Sequence, residues 1–234
     1  MSATLRDTAL TRSVEDYLKA IYRLSHGGQP ATTSEIAQHL EVSAPSVSGM
    51  VKRLADQGLL EHVPYRGVEL TASGRRAALR MLRRHRVIET YLVERLGFTW
   101  DTVHEEAERL EHAVSDGLID RMAAALGNPT FDPHGDPIPA RDGSIAEIIY
   151  TPLDDLPEGE TVVIRRADTS DAERLRYLAE IGLRPGAEAV VVAREPFGGP
   201  VTVRIGGERR MVGRELAALV LCQRRRPVAG GDAA

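Results

Sequence analysis

The chain has 234 residues, a formal net charge of −4, and 42% hydrophobic and 27% charged residues. This length allows one large domain or two to three small ones, and the composition is that of an ordinary soluble globular protein. No apolar run approaches the roughly 18 residues of a membrane span, and the N-terminus lacks the apolar core of a signal peptide, so we expect no membrane partner. The single cysteine, Cys222, excludes an internal disulfide framework and fits a cytoplasmic location.

Charge is distributed unevenly along the chain. Residues 71–86, TASGRRAALRMLRRHR, contain six arginines and no acidic residue, whereas residues 101–120 are rich in glutamate. A basic segment followed by an acidic one indicates two different partners, and this distribution matters more than the small net charge.

The N-terminal region has the apolar spacing of three short helices. The first, SVEDYLKAIYRL, has a helical stripe of apolar residues; Ser13 and Asp16 are placed to cap its start, and HGGQP at 26–30 ends it. ATTSEIAQHL predicts a second short helix, capped by Thr32 or Thr33. After the tight turn EVSA, PSVSGMVKRLADQG predicts a third helix with proline in its first turn and glycine just past its end.

A hairpin follows these helices. LLEHVPYRGVELTASG alternates apolar and polar residues around Pro64-Tyr65-Arg66-Gly67. Helix, turn, helix and hairpin form a winged helix-turn-helix, whose second helix enters the DNA major groove. A three-helix bundle that binds protein is the alternative. The expected DNA contacts are Ser43, Pro45, Ser46 and Ser48 in the first turn of the third helix, Lys52 and Arg53 one turn later, and Arg66 at the hairpin tip.

Two later helical segments carry histidines and carboxylates at ligand spacing. GRRAALRMLRRHRVIETYLVERLGF predicts a long helix in which His85 and Glu89 lie four residues apart. TWDTVHEEAERLEHAVSDGLIDRMAAALG predicts two helices or one bent helix.

The second of these segments carries the most informative pattern of the chain. His104, Glu108, Glu111 and His112 are spaced i, i+4, i+7 and i+8, which on one helix places them in a stripe roughly 100° wide. Carboxylates this close are costly unless a cation neutralises them, so the stripe predicts a metal site, with Asp16 of the first helix as a further contributor. A solvated acidic helix face with incidental histidines is the alternative.

After Gly127 the pattern changes to loops and strands. NPTFDPHGDPIPARDGS, residues 128–144, contains four prolines and few apolar residues, which is typical of a linker. The β-branched runs TVVIRRA, AEAVVVARE and PVTVRIGG, with the helix-like DAERLRYLAEIG after the first, predict a small SH3-like β-barrel.

Five segments occur together in this chain: EDYLKAIYRL, SAPSVSGMVKRL, LTASGRRAALRMLRRHR, VHEEAERLEHAVSD and FDPHGDPIP. In combination they resemble the diphtheria toxin repressor family of iron- and manganese-dependent transcriptional regulators. The resemblance runs from about Val14 to Pro139 and is weaker over the C-terminal region. The sequence is similar to the manganese-responsive branch that keeps a C-terminal SH3-like domain.

The resemblance implies a mainly α fold with a C-terminal barrel. The expected parts are a winged helix-turn-helix DNA-binding domain at 1–75, a helical metal-binding and dimerisation domain at 76–141, a linker at 142–158, an SH3-like (FeoA-like) domain at 159–226, and a disordered tail at 227–234.

The resemblance also implies function: a metal-activated homodimer that binds double-stranded operator DNA and controls metal-ion homeostasis. Two metal sites per subunit are expected. The implied ligands are Asp16, Glu108, Glu111 and His112 at a regulatory site, and His85, Glu89 and His104 at an ancillary site, with Asp168 and Asp171 of the C-terminal domain as further ligands.

Departures from the family pattern indicate the metal. Iron-responsive members have methionine at the Asp16 position and cysteine at the Glu108 position, whereas the oxygen ligands of this chain suit Mn²⁺. Lys19 replaces a second glutamate of some manganese sensors, which argues against a two-metal site using that position. Asp132 and Asp136 replace neutral residues of a family anion site, which we therefore expect to be absent.

The prediction is thus a Mn²⁺-dependent repressor, with an Fe²⁺-dependent repressor of iron uptake genes as the alternative within the family. We do not expect an enzyme, because the chain has no His-Glu-x-x-His, no Glu-x-x-His of di-iron bundles and no Gly-rich phosphate loop. A winged-helix regulator that senses an organic molecule would leave Glu108, Glu111 and His112 without a role.

Overall fold

The computed structural model describes residues 10–25 and 29–225. The chain forms two compact units: unit 1 extends to His85 and includes Leu110–Asp116 and Pro139–Ile145, and unit 2 holds the remaining residues. Residues 26–28 of the loop expected after the first helix, and the predicted tail at 227–234, lie outside the described residues. Within the described ranges, no helix combines the length and apolar character that crossing a bilayer requires.

Unit 1 contains three short helices and a two-stranded hairpin around one apolar core. They are α1 Arg12–Leu24, α2 Thr33–His39, α3 Ala44–Asp56, β1 Leu60–Val63 and β2 Gly67–Leu70, followed by α4 Ala72–Leu96, whose first half lies in this unit. The strands pair antiparallel. Leu18, Ile36 and Leu54 of the three helices are fully buried in the shared core. The predicted winged helix-turn-helix is confirmed.

Local capping sets the helix boundaries in unit 1. Thr32 Oγ1 accepts the backbone N–H of Glu35 at 3.2 Å, and the Glu35 carboxylate accepts the N–H of Thr32 at 2.8 Å, which is a capping box for α2. Ser43 caps α3 through its side chain. The start of α1 differs from the prediction: the boundary residue is Thr11, without a side-chain cap, and Ser13 is already helical.

Backbone hydrogen bonds hold the hairpin against the start of α2. Ala31 and Val68 exchange two N–H···O bonds of 2.9 Å each. Gly67 has a φ of +126°, and a Cβ added there would lie 2.2 Å from the Ala31 carbonyl oxygen, so only glycine fits. This close approach fixes the turn that carries Arg66.

Unit 2 contains the second half of α4 and most of two further helices, α5 Val103–Leu110 and α6 Asp116–Ala125. Of the two alternatives for this stretch, two separate helices are observed. Because α5 ends at Leu110, Glu111 and His112 lie in a turn, and the prediction of one helical stripe running on from His104 is wrong. Ser115 directly precedes α6, and a serine in that position favours the start of a new helix over continuation of the old one.

A six-stranded antiparallel sheet forms the C-terminal part of unit 2. Its elements in chain order are β3 Thr151–Pro152, β4 Thr161–Ala167, α7 Ala172–Glu180, β5 Glu188–Arg194, β6 Val201–Ile205, β7 Glu208–Val212, α8 Arg214–Ala218 and β8 Val220–Arg224. The strand order is β3-β8-β4-β5-β6-β7. Register shifts in the β4–β8 and β5–β6 pairs bend the strands around a core that includes Ile164, Val191 and Val203. This sheet is the predicted SH3-like domain.

Parts of both predicted linkers are folded. The sheet begins at Thr151, before the expected start at 159, because β3 pairs with β8. Within 128–138, Asp132, His134 and Ile138 are buried. Sequence reasoning missed these parts because a two-residue strand has no periodicity, and a segment whose buried side chains are largely polar resembles a solvated linker.

Candidate metal centre

Three potential ligands converge in unit 1. Asp16 on α1, and Glu111 and His112 in the turn after α5, each offer one ligand atom, and these atoms lie within 4.8 Å of one another. α1 buries Tyr17 and Leu18 in the core, which leaves Asp16 half-buried at the margin of the packed face. Carboxylate oxygens and imidazole nitrogens are ligands that divalent transition metals accept.

The imidazole of His112 is oriented by Glu15. Its Nδ1 lies 2.8 Å from a Glu15 carboxylate oxygen, and because an ionised carboxylate only accepts, Nδ1 donates this hydrogen bond. In the neutral imidazole, Nε2 then presents a lone pair 2.9 Å from Asp16 Oδ1 and 3.4 Å from Glu111 Oε1. This buried Nε2 has no hydrogen-bond partner in the described part of the chain. Electron-rich atoms converging in this way fit a divalent cation.

Glu111 is fully buried, and both of its oxygens have close partners. Oε1 lies 2.5 Å from Nζ of Lys19, and Oε2 lies 2.6 Å from Nδ1 of His85. The structure thus brings His85, an expected ancillary ligand, against a carboxylate expected at the regulatory site. Sequence reasoning missed Glu15 and Lys19 as members of this cluster. Both residues lie within one turn of Asp16 on the same helix, and this spacing could have indicated that they belong to the cluster.

Two of the expected ancillary ligands meet in unit 2. Nδ1 of His104 lies 3.1 Å from Oε1 of Glu89, which is buried. Glu108, one turn further along α5, places Oε1 3.8 Å from Nε2 of His104. The spacing of His104 and Glu108 on one helix face is therefore as the sequence indicated.

A histidine that sequence reasoning missed also lies beside Glu89. His134 Nδ1 is 3.7 Å from Glu89 Oε2, and His134 Nε2 donates to the Trp100 carbonyl oxygen at 2.6 Å. Although burial opposes a positive charge on the ring, Glu89 and Asp132 raise the pKa of His134 to about 9, so it is protonated at neutral pH. A lone histidine in a proline-rich segment gave no periodic signal by which to find it.

Asp132 and Asp136 surround the guanidinium of Arg86. Arg86 Nε lies 3.5 Å from Asp132, its Nη2 lies 2.9 Å from Asp136, and Arg166 Nε lies 3.1 Å from Asp136. Burial, together with Asp136 and Glu89, raises the pKa of Asp132 to about 7. Two carboxyl groups of the chain thus lie within 3.5 Å of the Arg86 guanidinium.

Asp168 and Asp171 have local roles in the C-terminal part. Asp168 accepts a hydrogen bond from Arg166 at 2.6 Å, and Asp171 caps α7 by accepting the backbone N–H of Arg174 at 3.0 Å. Neither belongs to the groups of closely spaced potential ligands found among the described residues.

The expected DNA-contacting residues form the outer face of α3 and the hairpin tip. α3 buries Val47, Val51 and Leu54 on its inner face. The exposed residues include all of those expected to reach DNA: Ser43, Pro45, Ser46, Ser48, Lys52, Arg53 and, on the hairpin, Arg66. Arg66 donates a hydrogen bond to Gln29 at 2.6 Å, which orients it at the hairpin tip.

Known protein families match this arrangement over most of the chain. The matching models are the iron dependent repressor N-terminal DNA binding domain at residues 9–68, the iron dependent repressor metal binding and dimerisation domain at 71–140, and the FeoA domain at 151–224. The iron-dependent repressor IdeR of Mycobacterium leprae is 35% identical over 223 residues, covering 90% of this chain and 96% of that protein. The chain belongs to the diphtheria toxin repressor family. It is therefore a metal-dependent transcriptional repressor, of a family that binds DNA and dimerises.

Solved structures of the family are similar to this chain over most of its length. A manganese-dependent transcriptional repressor in complex with manganese is 42% identical, with a TM-score of 0.85 over 91% of this chain and 100% of that one. The manganese regulator SloR is 34% identical, with a TM-score of 0.76 over 92% of this chain and 100% of that one. Because relatives are named for iron as well as for manganese, their names alone do not assign the metal of this chain.

Proposed function

We propose that this family member is a Mn²⁺-dependent repressor that binds operator DNA as a metal-activated homodimer and controls metal-ion homeostasis. The observation that carries the proposal is the Nε2 lone pair of His112 facing Asp16 and Glu111. This ligand set holds no sulfur, and oxygen-rich sets suit Mn²⁺ whereas sulfur favours softer ions. The two similar manganese regulators support the same metal.

The ligands divide between two ions per subunit in this proposal. The regulatory ion would be held by Asp16, Glu111 and His112, to which the family resemblance adds Glu108; the ancillary ion would be held by His85, Glu89 and His104. Asp168 and Asp171 are the weakest members of the proposed set because each already has a local partner. A divalent ion bound to the regulatory ligands would supply positive charge to the buried carboxylates and join α1 to the turn at 111–112.

Asp16 connects such a site to the DNA-reading elements. α1 packs on α2 and β2 through the core that contains Leu18, Ile36 and Val68. Constraining Asp16 therefore constrains the helix on which the reading elements pack. Metal would favour the DNA-competent conformation by binding it more tightly than the conformation that does not bind DNA. By the same linkage, DNA binding would increase the affinity for metal.

The reading face of α3 would enter the major groove. Its small hydroxyl residues permit close approach and contact phosphates, while Lys52, Arg53 and Arg66 supply positive charge toward the backbone. Because such a repressor acts on chromosomal DNA, we place it in the cytoplasm.

An Fe²⁺-dependent repressor of iron uptake genes is the second candidate, favoured by the relatives named as iron-dependent. A gel shift separates the two. Protein freed of metal by chelator is titrated with Mn²⁺, Fe²⁺ (anaerobically) or Zn²⁺ against genomic DNA fragments, and bound fragments are sequenced. We expect Mn²⁺ at saturating concentration to restore operator binding more fully than Fe²⁺ does, because the proposed selectivity lies in coordination geometry and not in raw affinity; fuller activation by Fe²⁺ would establish the iron repressor instead.

A DNA affinity that chelator leaves unchanged would contradict both candidates. It would favour a winged-helix protein that responds to something other than metal.

A further inference from the structure

Lys19 is a buried lysine inside the acidic cluster of unit 1. It lies on α1 three residues after Asp16, and it is 6% exposed. Lysine is almost never fully buried unless it is paired. Its ammonium lies 2.5 Å from Oε1 of Glu111, whose side chain is fully buried.

The oxygen that Lys19 contacts is also the oxygen that faces the candidate ion. Glu111 Oε1 lies 3.4 Å from His112 Nε2, and Glu111 and His112 form a group of potential ligands with Asp16. A cation among these three ligands would therefore share a carboxylate with the ammonium and lie close to it. Two positive charges at such a distance in a buried site repel each other strongly.

Glu111 does not depend on Lys19 for its position. Its other oxygen, Oε2, lies 2.6 Å from Nδ1 of His85, which is itself buried. Arg84, a nearby arginine of α4, pairs with Glu15 and Asp116 instead. Removing the Lys19 charge would thus leave the contact of Glu111 with His85 in place while withdrawing a positive charge from the carboxylate oxygen that faces His112.

We propose that Lys19 is an internal counter-cation, which neutralises Glu111 when no metal is bound and lowers the affinity of the regulatory site for divalent ions. This inference rests on the proposed function of that site. It makes Lys19 a residue that sets the free metal concentration at which the repressor responds, without being a ligand.

Lys19→Met tests the proposal because methionine keeps an unbranched side chain of similar length and removes the charge. Mn²⁺ binding to the full-length protein is measured by calorimetry and by the EPR signal of free Mn²⁺. We expect the affinity of the regulatory site to rise about tenfold or more, as loss of a close like charge implies. The melting temperature of the metal-free protein should fall, and its increase on adding Mn²⁺ should be larger than in the wild type.

Two variants serve as controls for charge. Lys19→Arg keeps the positive charge and should bind Mn²⁺ nearly as the wild type does. Arg23→Met removes the same charge from α1 one turn further along and should leave the affinity unchanged. In the double variant Lys19→Met/Asp16→Ala the gain in affinity should disappear, which assigns it to this site.

The outcomes distinguish failure of the Lys19 inference from failure of the proposed function on which it rests. If the wild type binds Mn²⁺ and Lys19→Met binds no tighter, the inference is wrong and the proposed function stands. If the wild type binds no divalent ion, both the proposed function and the inference are wrong. Should Lys19→Met not fold, as judged by circular dichroism, Lys19→Gln replaces it with the same expected direction, and unchanged or weaker binding by that variant overturns the inference.

Discussion

At the scale of single residues, His112 shows how a neighbour prepares a ligand. Glu15 accepts the Nδ1 hydrogen bond and thereby fixes both the tautomer and the ring orientation, so that Nε2 faces Asp16 and Glu111. Carboxylate partners of this kind also raise the basicity of a ligating imidazole.

We therefore expect Glu15→Gln to weaken Mn²⁺ binding about tenfold, the usual effect of removing such a partner. The amide can still accept the hydrogen bond but lacks the charge that increases ligand basicity. The measurement is a calorimetric Mn²⁺ titration of the full chain. Glu41→Gln, at an exposed position between α2 and α3, is the matched control, and equal affinities for both variants would show that Glu15 has no part in the site.

The choice of metal is also decided by single residues. Asp16→Met together with Glu108→Cys replaces two oxygen ligands with sulfur, which should shift the response from Mn²⁺ toward Fe²⁺. The measurement is the ratio of Mn²⁺ to Fe²⁺ concentrations that give half-maximal operator binding, with each single variant beside the double. A Mn²⁺ preference that survives the double substitution would count against the ligand-hardness argument.

At the scale of elements, short irregular segments hold several of the buried or ligand-type residues described above. Glu111 and His112 stand in the turn between α5 and α6, and His134 stands in the folded segment 128–138. That segment packs closely on β4, since the backbone N–H of Ala167 donates to the His134 carbonyl oxygen at 3.0 Å. This hydrogen bond fixes the loop backbone at the buried His134.

Gly135 is the position at which this packing can be tested. It has a φ of +87°, and a Cβ there would lie 1.8 Å from the Arg165 carbonyl oxygen. We expect Gly135→Ala to lower the free energy of unfolding of unit 2 by about 2–4 kcal/mol, from backbone strain and steric overlap together. Urea denaturation followed by the fluorescence of Trp100, which stacks on His134 at 5.8 Å, reports on this unit.

Gly117→Ala is the control for that substitution. Gly117 lies in α6 with nothing within 4 Å of an added Cβ, so alanine there should raise stability by up to about 1 kcal/mol. Equal unfolding curves for the two variants would mean that segment 128–138 is not held against β4 as the structure shows.

At the scale of the whole molecule, function rests on coupling between metal binding and DNA binding. The coupling that we propose passes through α1, which carries Asp16 and packs in the core of the winged domain. The coupling free energy can be no larger than the difference in metal-binding free energy between the DNA-competent conformation and the conformation that does not bind DNA.

Asp16→Ala should therefore abolish the Mn²⁺-dependent part of operator binding while leaving the weak, metal-independent affinity unchanged. The measurement is a fluorescence-anisotropy titration of operator DNA with and without Mn²⁺ at fixed salt, because phosphate contacts make affinity salt-dependent. Binding that still depends on Mn²⁺ as in the wild type would refute this coupling scheme.

The sequence by itself determined the elements with strong local signals. The α2 and α3 helices have their caps in adjacent residues, Thr32 and Ser43, and the hairpin has its turn residues, so the winged helix-turn-helix could be predicted from the chain alone. The β-branched runs predicted β4, β5 and β6 for the same reason, because alternation along a strand is a local property. The spacing of His104 and Glu108, on one helix, was likewise available from sequence.

Only the tertiary structure decided what depends on long-range contacts. The pattern from His104 to His112 predicted one helix, but α5 ends at Leu110 and Glu111 packs instead against Lys19, 92 positions away in the chain. His134 and the folded segment 128–138 gave no periodic signal. They are held by hydrogen bonds to distant residues, from His134 to the Trp100 carbonyl oxygen and from the Ala167 backbone N–H in β4 to the His134 carbonyl oxygen. Periodicity reports which face of an element is apolar, whereas the partner of a buried charge is set by the fold that brings distant residues together.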